Sequence, residues 1–324
     1  SLLKAELIHA RQQKYGVPLR ARLVSYFDAL GQLGCAMPAT LNAVLEHPAA
    51  RAFMKKTIGF SAKRPLPKYT TERFDVWFKN RSLPEGGKKK IILWDDCSTR
   101  YHEPHVGKAA VSVLESAGYD VILPHGHRCC GRPAFSVGRL DMARRDGMHN
   151  IAILAKLDTS LPVVFLEPSC FSMFTNDYIE LGIAGADAVA TRCVLFERFV
   201  YDLLETQPDT LTFDALGTPI AVHTHCHAKA LSDTNVVPKL VGRIPSSSVT
   251  LLDAGCCGMA GSFGACAEHY ELSVAVAQPL VNSINALEPE TRVVASGTSC
   301  RQQIAHLTGK TALHMAQVLA EALR

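Results

Sequence analysis

Several features are missing from this sequence of 324 residues, and each absence narrows the possible functions. No apolar run approaches the ~20 residues that a membrane-spanning helix needs. The opening segment SLLKAELIHARQQKYG alternates charged and apolar side chains like an amphipathic helix, not like a signal peptide. The formal net charge is only +4, and the one short basic run, GGKKK, is not the basic stripe of a nucleic-acid-binding protein. We therefore expect a cytoplasmic protein with no nucleic-acid partner and at most peripheral contact with the inner face of the membrane.

Common nucleotide-binding motifs are missing as well. The segment GCCGMAGSFG places its glycines at every third position and does not match GxGxxG, and the chain has no P-loop. Disulfides are not needed for folding, because 48% of the residues are hydrophobic and a chain of this length can bury a full-sized core. The 11 cysteines then need another explanation in a reducing compartment, and thiolate ligation of a metal or cluster is the leading one.

The chain divides into a helical lead-in and a longer α/β part. Apolar positions recur at helical spacing up to about residue 60, and a Pro-, Arg- and Lys-rich stretch that we interpret as an extended linker completes residues 1–86. Short apolar runs then alternate with amphipathic stretches, a pattern typical of βαβ units. The predicted strands are KIILWDD, YDVILPH, LPVVFLEP, PIAVHTH, SVTLLDAG and RVVASGT. We predict an α/β fold with two duplicated Rossmann-like βαβ modules and parallel sheets, residues 87–212 and 213–324.

Eight cysteines come just after the carboxyl ends of these predicted strands. Parallel α/β sheets place their ligands at this edge, because loops and helix N-termini converge there. The eight are Cys97, Cys129, Cys130, Cys170, Cys226, Cys256, Cys257 and Cys300. We expect their thiols to meet and to bind metal.

The cysteines also repeat along the chain, and this supports the duplication. Corresponding members are 129 residues apart for Cys97 and Cys226, 127 for Cys129 and Cys256, and 130 for Cys170 and Cys300. Such self-similarity indicates two copies of one module. Each copy has a single cysteine, a Cys-Cys-Gly and one further cysteine.

Four thiolates from three loops form a soft, anionic site. It suits an iron-sulfur cluster or zinc, whereas calcium and magnesium prefer oxygen ligands. Adjacent cysteines form a strained disulfide but can present two sulfurs to neighbouring metal atoms. We interpret Gly131 and Gly258 as cofactor-binding, because a residue without a Cβ lets the backbone turn sharply beside a bulky cluster. Cys35, Cys193 and Cys266 are interpreted as small buried hydrophobic residues.

Charged and imidazole side chains flank the cysteines, and their roles stay open. Arg128 and Arg132 are either solvated or stabilise thiolates of the first pair. The segment HTHCHAK contains His223, His225 and His227. They are metal ligands, hydrogen-bond donors to cluster sulfurs, or histidines at the sheet edge whose hydrogen bonds are satisfied by other groups.

The pattern C…CCG…PSC, present twice, resembles the cysteine-rich CCG domain found in subunits of heterodisulfide reductase, anaerobic glycerol-3-phosphate dehydrogenase and glycolate oxidase, and in lactate-utilisation proteins. The resemblance covers residues 88–324. The segments LKAELIHARQQKYGVPLRARL, CCGRPAFSVGRLDMARR and LEPSCFSMF further resemble the C-terminal region of FAD-linked oxidases of the D-lactate or D-2-hydroxyglutarate dehydrogenase type. In that type, a flavin domain and a ferredoxin-like domain precede two CCG modules.

This resemblance implies an electron-transfer module with one or two 4Fe-4S clusters. Electrons would leave a 2-hydroxy acid at an FAD in a partner domain or subunit, with a ferredoxin-like domain as a further partner. They would pass through this chain to an acceptor such as a quinone. No catalytic residue of the substrate-oxidising step is assigned here.

The sequence departs from the family's fullest form at two positions. Glu167 and Gly297 stand where that form has the first cysteine of a C-x-x-C, so each module keeps four cysteines, the set for an ordinary cubane cluster. Glu167 is either an oxygen ligand or the cap of the next helix. Two alternatives remain: a structural zinc module, and a cluster-dependent thiol-disulfide reductase, which predicts an open cleft over one CCG pair.

Overall fold

The computed structural model describes residues 2–82 and 89–324. The expected boundary between lead-in and first module, 86/87, lies outside the described residues. Eight strands in the described part of the chain form two four-stranded sheets, in which every neighbouring pair is parallel. The first sheet contains β1 (Lys89–Trp94), β2 (Tyr119–Ile122), β3 (Val163–Phe165) and β4 (Cys193–Leu195), and the second contains β5 (Ile220–Val222), β6 (Val249–Leu251), β7 (Arg292–Val294) and β8 (Ala312–Leu313).

Helices account for most of the remaining regular structure. The lead-in contains α1 (Leu2–Tyr15), α2 (Leu19–Ser25), α3 (Phe27–Ala36), α4 (Pro38–Glu46), α5 (Pro48–Thr57) and α6 (Phe74–Asn80). The first module contains α7 (Cys97–Tyr101), α8 (Pro104–Ser116), α9 (Arg132–Ser136), α10 (Leu140–Lys156), α11 (Pro168–Ser172), α12 (Tyr178–Glu180), α13 (Ala186–Ala190) and α14 (Phe196–Thr206). The second module contains α15 (Cys226–Leu231), α16 (Val236–Val241), α17 (Tyr270–Asn285), α18 (Thr298–Thr308) and α19 (Met315–Ala322). Single turns of π-helix (Met173–Asp177) and of 3₁₀ helix (Pro208–Thr210, Phe263–Ala265 and Ala267–His269) lie between them.

The two sheets have the same strand order. It is β2-β1-β3-β4 in the first and β6-β5-β7-β8 in the second, so the repeat seen in the cysteines is also a repeat in topology. The residues of β3 and β5 are all buried, because helices cover both faces of a parallel sheet and favour unbroken apolar strands. The predicted α/β fold with duplicated parallel modules is confirmed. The edge strands β4 and β8 were not predicted.

The modules share one hydrophobic core instead of packing as separate bodies. Leu93 of the first sheet and Val294 of the second lie in the same cluster of buried side chains, together with Met315. The last helix of each module packs on a helix of the other, α19 on α8 and α14 on α16. Each module therefore packs its last helix on the other module. Neither sheet is covered by the helices of its own module alone.

Polar contacts reinforce this shared interface. The Arg301 guanidinium pairs with Glu103 of the other module, at 2.7 Å from Nη2 to Oε2 and 3.1 Å from Nε to Oε1. His314 at the start of α19 uses both ring nitrogens: Nε2 donates to the Leu166 carbonyl and Nδ1 accepts from the Ala316 amide, each at 3.0 Å. The His314–Leu166 contact is buried and the Arg301–Glu103 pair is partly buried, and both join the two halves of the chain.

The lead-in packs against both modules and is not a detached arm. Gln12 Nε2 donates to the Val137 carbonyl at 2.6 Å, and the amide of Ser61 donates to the Ala265 carbonyl at 2.8 Å. The segment interpreted as an extended linker has no regular structure up to residue 73 and then forms α6, in which Phe74 is fully buried. Among the described residues, no helix combines the length and the apolarity that crossing a membrane requires.

Candidate metal centres

The single cysteine of each module begins a short helix just after a strand. Cys97 is the first residue of α7, where the Asp96 carboxylate caps the helix by accepting two backbone N–H bonds. Cys226 is the first residue of α15, capped in the same way by the ring of His225. The two positions are equivalent although the capping residues differ, as expected for diverged copies of one module.

The remaining cysteines also occupy equivalent positions. Cys170 is the third residue of α11 and Cys300 the third residue of α18, each helix following the strand next to the centre of its sheet. The adjacent pairs lie in the loops that follow β2 and β6. All of these positions are at the carboxyl edge of the sheets, where the strand pattern places them.

The sulfurs meet in two groups of four. We call Cys97, Cys129, Cys130 and Cys170 the first tetrad, and Cys226, Cys256, Cys257 and Cys300 the second tetrad. In the first, contacts run in a row from Cys97 to Cys129, to Cys130 and to Cys170, with 3.0 Å between the last two sulfurs. The second repeats the row in the same order. All eight are free thiols. These contacts bring together the eight cysteines that the sequence singled out.

Burial and mutual contact hold protons on the first tetrad. The contact with Cys129 and then burial raise the pKa of Cys97, and the contact with Cys130 raises the pKa of Cys129. The contact with Cys130 lowers the pKa of Cys170, but burial and nearby carboxylates outweigh it and raise that pKa to about 12. A cation that binds here must therefore displace protons.

The second tetrad is more open than the first. Cys226 is exposed, whereas Cys300 is buried. Contacts with Cys226 and Cys257 lower the pKa of Cys256, whose sulfur also accepts the amide N–H of Gly258 at 3.3 Å. The two tetrads thus share a layout but differ in exposure.

Gly131 and Gly258 are required by the backbone beside each pair. Both have left-handed φ angles, +81° and +83°. A Cβ on Gly131 would lie 3.2 Å from Cα of Ala143, and one on Gly258 would lie 2.1 Å from the carbonyl oxygen of Ser273. Each glycine therefore lets the following long helix, α10 or α17, approach the loop that carries the pair.

Arg128 and Arg132 both form ion pairs away from the sulfurs. Arg128 pairs with Asp146 at 3.2 Å, and Arg132 pairs with Asp177 and donates to Ser172 Oγ at 2.8 Å. The backbone N–H of Arg132, not its guanidinium, hydrogen-bonds to Cys130.

The three histidines of HTHCHAK have different surroundings. His223 is buried and hydrogen-bonds to the sulfur of Cys300, which fits the role of hydrogen-bond donor. His225 Nδ1 lies 4.0 Å from the sulfur of Cys226 while it caps α15. Burial lowers the pKa of His227 to about 4, so that ring is neutral.

Glu167 caps helices of both modules. Its Oε1 accepts from the Ser169 amide at 3.1 Å in α11, and its Oε2 accepts from the Thr298 amide at 2.8 Å in α18. Burial would raise the pKa of this carboxyl, but the electrostatic interaction with the His225 ring and the Thr298 N–H outweigh burial and lower the pKa. Gly297 is equally constrained, since a Cβ there would lie 2.2 Å from the ring of His225. The capping interpretation of Glu167 fits this geometry.

Of the three cysteines outside the tetrads, Cys266 is buried as expected, whereas Cys35 and Cys193 are only partly buried. The thiols of Cys35, Cys193 and Cys266 donate to backbone carbonyls at 3.4, 3.2 and 3.3 Å. Cys266 also has donor atoms of Glu268 and His269 within 4.8 Å.

A cavity of about 290 Å³ lies over the first tetrad, and all four of its cysteines line it. Its other walls come from the lead-in and from residues 259–265 and 298–302 of the second module. Arg64 is one lining residue that the sequence did not single out. Its side chain is 3% exposed and donates to Gln303 and, at 3.2 Å, to Ser273 Oγ. Nothing in the aperiodic segment around Arg64 indicates that it is buried against the second module.

The fold and the two tetrads define a duplicated cysteine-rich α/β protein, and sequence comparison identifies its family. The profile of the cysteine-rich domain family (CCG) matches residues 91–175 and 220–305, and the chain belongs to this family. The two matches correspond to the two modules.

Individual relatives agree with this assignment. The chain is 26% identical over 324 residues to a subunit of anaerobic glycerol-3-phosphate dehydrogenase of Escherichia coli K12, covering 98% of this chain and 81% of that protein. It is 29% identical over 178 residues to an iron-sulfur protein of Methanocaldococcus jannaschii, and the match covers 55% of this chain and 34% of that protein. It is 23% identical over 331 residues to D-2-hydroxyglutarate dehydrogenase of E. coli K12, covering 98% and 32%. The chain therefore spans about a third of the last two proteins, and the resemblance to enzymes of the D-2-hydroxyglutarate dehydrogenase type is confirmed.

Proposed function

We propose that each tetrad binds one 4Fe-4S cluster and that the protein is the electron-transfer component of a flavin-dependent 2-hydroxy-acid dehydrogenase. The observation that carries this proposal is the pair of sulfur rows at equivalent strand ends. The eight metal ligands we propose are the eight cysteines of the two tetrads.

The residues present fit such clusters. The thiols are free and contact one another in a row, an arrangement that suits several metal atoms better than a tetrahedron around a single ion. Backbone N–H groups point at sulfur, as with Gly258 and Cys256, and hydrogen bonds of this kind tune cluster potentials. Bound clusters would accept and release one electron at a time.

The protein's own residues would link the two centres and would also give each of them different surroundings. Glu167 joins the N-termini of α11 and α18, the helices that carry Cys170 and Cys300. His223 beside Cys300 gives the second tetrad a hydrogen-bond donor. The first tetrad is the more buried, so its potential would be set by low polarity, and that of the second by water and hydrogen bonds.

The flavin and the substrate would belong to a partner. Two of the relatives named above are dehydrogenases or their subunits, and the flavin site we propose is in a separate domain or subunit. A ferredoxin-like domain would relay electrons to this chain. The lead-in helices expose several large apolar side chains, a feature typical of interaction surfaces: Leu3, Leu7, Tyr15, Leu33 and Phe53. We propose that the lead-in helices dock the ferredoxin-like domain through some of these side chains, in a cytoplasmic protein with at most peripheral membrane contact.

One observation favours a second candidate function. A thiol-disulfide reductase predicts an open space over one CCG pair, and the 290 Å³ cavity lies over Cys129 and Cys130. A reduced cluster at the first tetrad would then deliver electrons to a small disulfide. Zinc remains the alternative metal, since four thiolates also suit it.

Metal analysis of anaerobically purified protein tests the proposal. We expect about four irons and four sulfides per occupied tetrad, and an EPR signal that changes on reduction with dithionite. Cys130→Ser and Cys257→Ser should each remove about half of the iron, because each variant breaks one tetrad, whereas the matched variant Cys35→Ser should keep all of it. Zinc without sulfide, or equal losses from all three variants, would contradict the cluster assignment.

A further inference from the structure

A third group of side chains with metal-ligand atoms lies outside both tetrads, in the turn after the second CCG pair. Sγ of Cys266, a carboxylate oxygen of Glu268 and a ring nitrogen of His269 all lie within 4.8 Å of one another. The turn itself brings them together, because Ala267–His269 form one turn of 3₁₀ helix and the His269 amide donates to the Cys266 carbonyl at 3.2 Å. Four consecutive residues thus offer a thiol, a carboxylate and an imidazole in one place.

This combination of donor atoms suits zinc, whereas calcium and magnesium prefer oxygen ligands. Zn²⁺ binds cysteine sulfur at about 2.3 Å and histidine nitrogen or carboxylate oxygen at about 2.0–2.2 Å, so tetrahedral ligand atoms lie about 3.3–3.7 Å apart. The donor atoms here, at most 4.8 Å apart, would close by about 1.5 Å or less, a movement that side-chain rotation can supply. Three protein donors leave the fourth position for water.

The surroundings of the turn would let an ion enter and would hold its ligands in place. Glu268 is exposed and His269 is partly exposed, so an ion has a path from solvent, while the buried Cys266 forms the base of the site. The His269 ring stacks on Phe263, with 3.8 Å between the ring centroids. Arg20 Nη1 pairs with Oε1 of Glu268 at 2.7 Å. A partner of this kind orients a ligating carboxylate, whose other oxygen can bind the ion.

The same turn joins the lead-in to the second module. The Ala267 amide donates to the Gly59 carbonyl, and the Ser61 amide donates to the Ala265 carbonyl, both at 2.8 Å. The ion pair with Arg20 of α2 is a further contact between these two parts of the chain. An ion bound at this turn would therefore fix the attachment of the lead-in, which forms one wall of the cavity over the first tetrad.

We propose that Cys266, Glu268 and His269 bind one Zn²⁺ ion, with water as the fourth ligand, and that this ion fastens the lead-in to the second module. The thiol of Cys266 now donates to the Ser262 carbonyl. Zinc binding replaces its S–H bond with a Zn–S bond and releases the proton to solvent. No electron is transferred, so the site does not depend on the clusters. This zinc comes in addition to the iron and sulfide of the tetrads.

Zinc analysis after equilibrium dialysis of the anaerobically purified protein against buffered Zn²⁺ tests this site. We expect about one zinc per chain, with one sulfur and three nitrogen or oxygen ligands in its X-ray absorption spectrum, whereas zinc held by a tetrad would have four sulfur ligands. Glu268→Gln and Cys266→Ser should each weaken this binding at least about tenfold. The matched controls, Glu271→Gln in an exposed pair with Lys63 and Cys35→Ser outside the tetrads, should leave it unchanged.

Iron content and thermal unfolding, measured on the same samples, separate this inference from the proposed function. Iron should be equal in Glu268→Gln and Glu271→Gln, and of these two variants only Glu271→Gln should unfold at a higher temperature when zinc is added. Equal zinc binding by the two variants overturns the zinc site, whatever the tetrads contain. A spectrum with four sulfur ligands alone would place the zinc in a tetrad and overturn the site as well. Protein that lacks iron but binds zinc through one sulfur supports this site and refutes the electron-transfer function.

Discussion

Replacing Gly258 with alanine should destabilise the second module. The loss of stability should exceed the backbone cost of placing an alanine at a left-handed φ angle. Its φ of +83° alone would cost an alanine about 1–2 kcal/mol. The added Cβ would also lie 2.1 Å from the Ser273 carbonyl oxygen, so helix α17 must retreat by about 1.3 Å to reach an ordinary contact of 3.4 Å. Forcing such a shift on a packed element costs about 1–3 kcal/mol, for a total of about 2–5 kcal/mol.

The matched control is Gly126→Ala in the loop before the first pair. Its φ is +74°, but nothing lies within 4 Å of the added Cβ, so it should cost only the backbone part, about 1–2 kcal/mol. Guanidinium unfolding followed by circular dichroism measures the difference, and iron analysis should show loss from the second tetrad only in Gly258→Ala. Equal unfolding midpoints for the two variants would refute the idea that α17 presses on the glycine.

Two further predictions concern the interface between the modules. Glu103→Gln weakens the partly buried pair with Arg301 and should destabilise the protein by about 1.5–3 kcal/mol, whereas Asp202→Asn, in an exposed pair, should cost at most about 0.5 kcal/mol; denaturant midpoints compare them. Burial lowers the pKa of His314 below 6.5, so as the pH falls through 6.5 the unfolded chain gains a proton that the folded protein does not, and stability decreases. His314→Asn keeps a capping oxygen for the Ala316 amide and should therefore lose less stability than the unmodified protein between about pH 7.5 and pH 5.5; an unchanged loss would contradict this role.

The central strands and the meeting of the cysteines could be predicted from local patterns. Aliphatic runs such as IILW form buried parallel strands, and parallel strands bring their carboxyl ends to one edge whatever the loops contain. That rule alone places Cys97 near Cys129 across 31 intervening residues. The strands β4 and β8 were missed because helices α14 and α19 follow them at once or after one residue, so no turn residues separate their short apolar runs from the helical pattern.

Contacts between distant segments could not be predicted. Arg64 lies in a proline-rich stretch without periodicity, yet it is buried because residues more than 200 positions away, Ser273 and Gln303, accept its hydrogen bonds. The double capping by Glu167 is similar: the sequence indicates a cap for α11, but only the packing of the modules brings Thr298 of α18 to its second oxygen. The cavity has the same origin, since three separate parts of the chain form its walls.

The reciprocal exchange of α14 and α19 has a consequence for how such proteins evolve. A single ancestral module that paired with a second copy of itself would have used the same two contacts between two polypeptides, α19 on α8 and α14 on α16. Gene fusion then turns a symmetric dimer into one chain and frees the halves to diverge. Asp96 in one half and His225 in the other occupy the same capping position, so specialisation has already reached the residues beside the thiols. Recombination can no longer remove or swap one half without exposing the helix-binding face of the other.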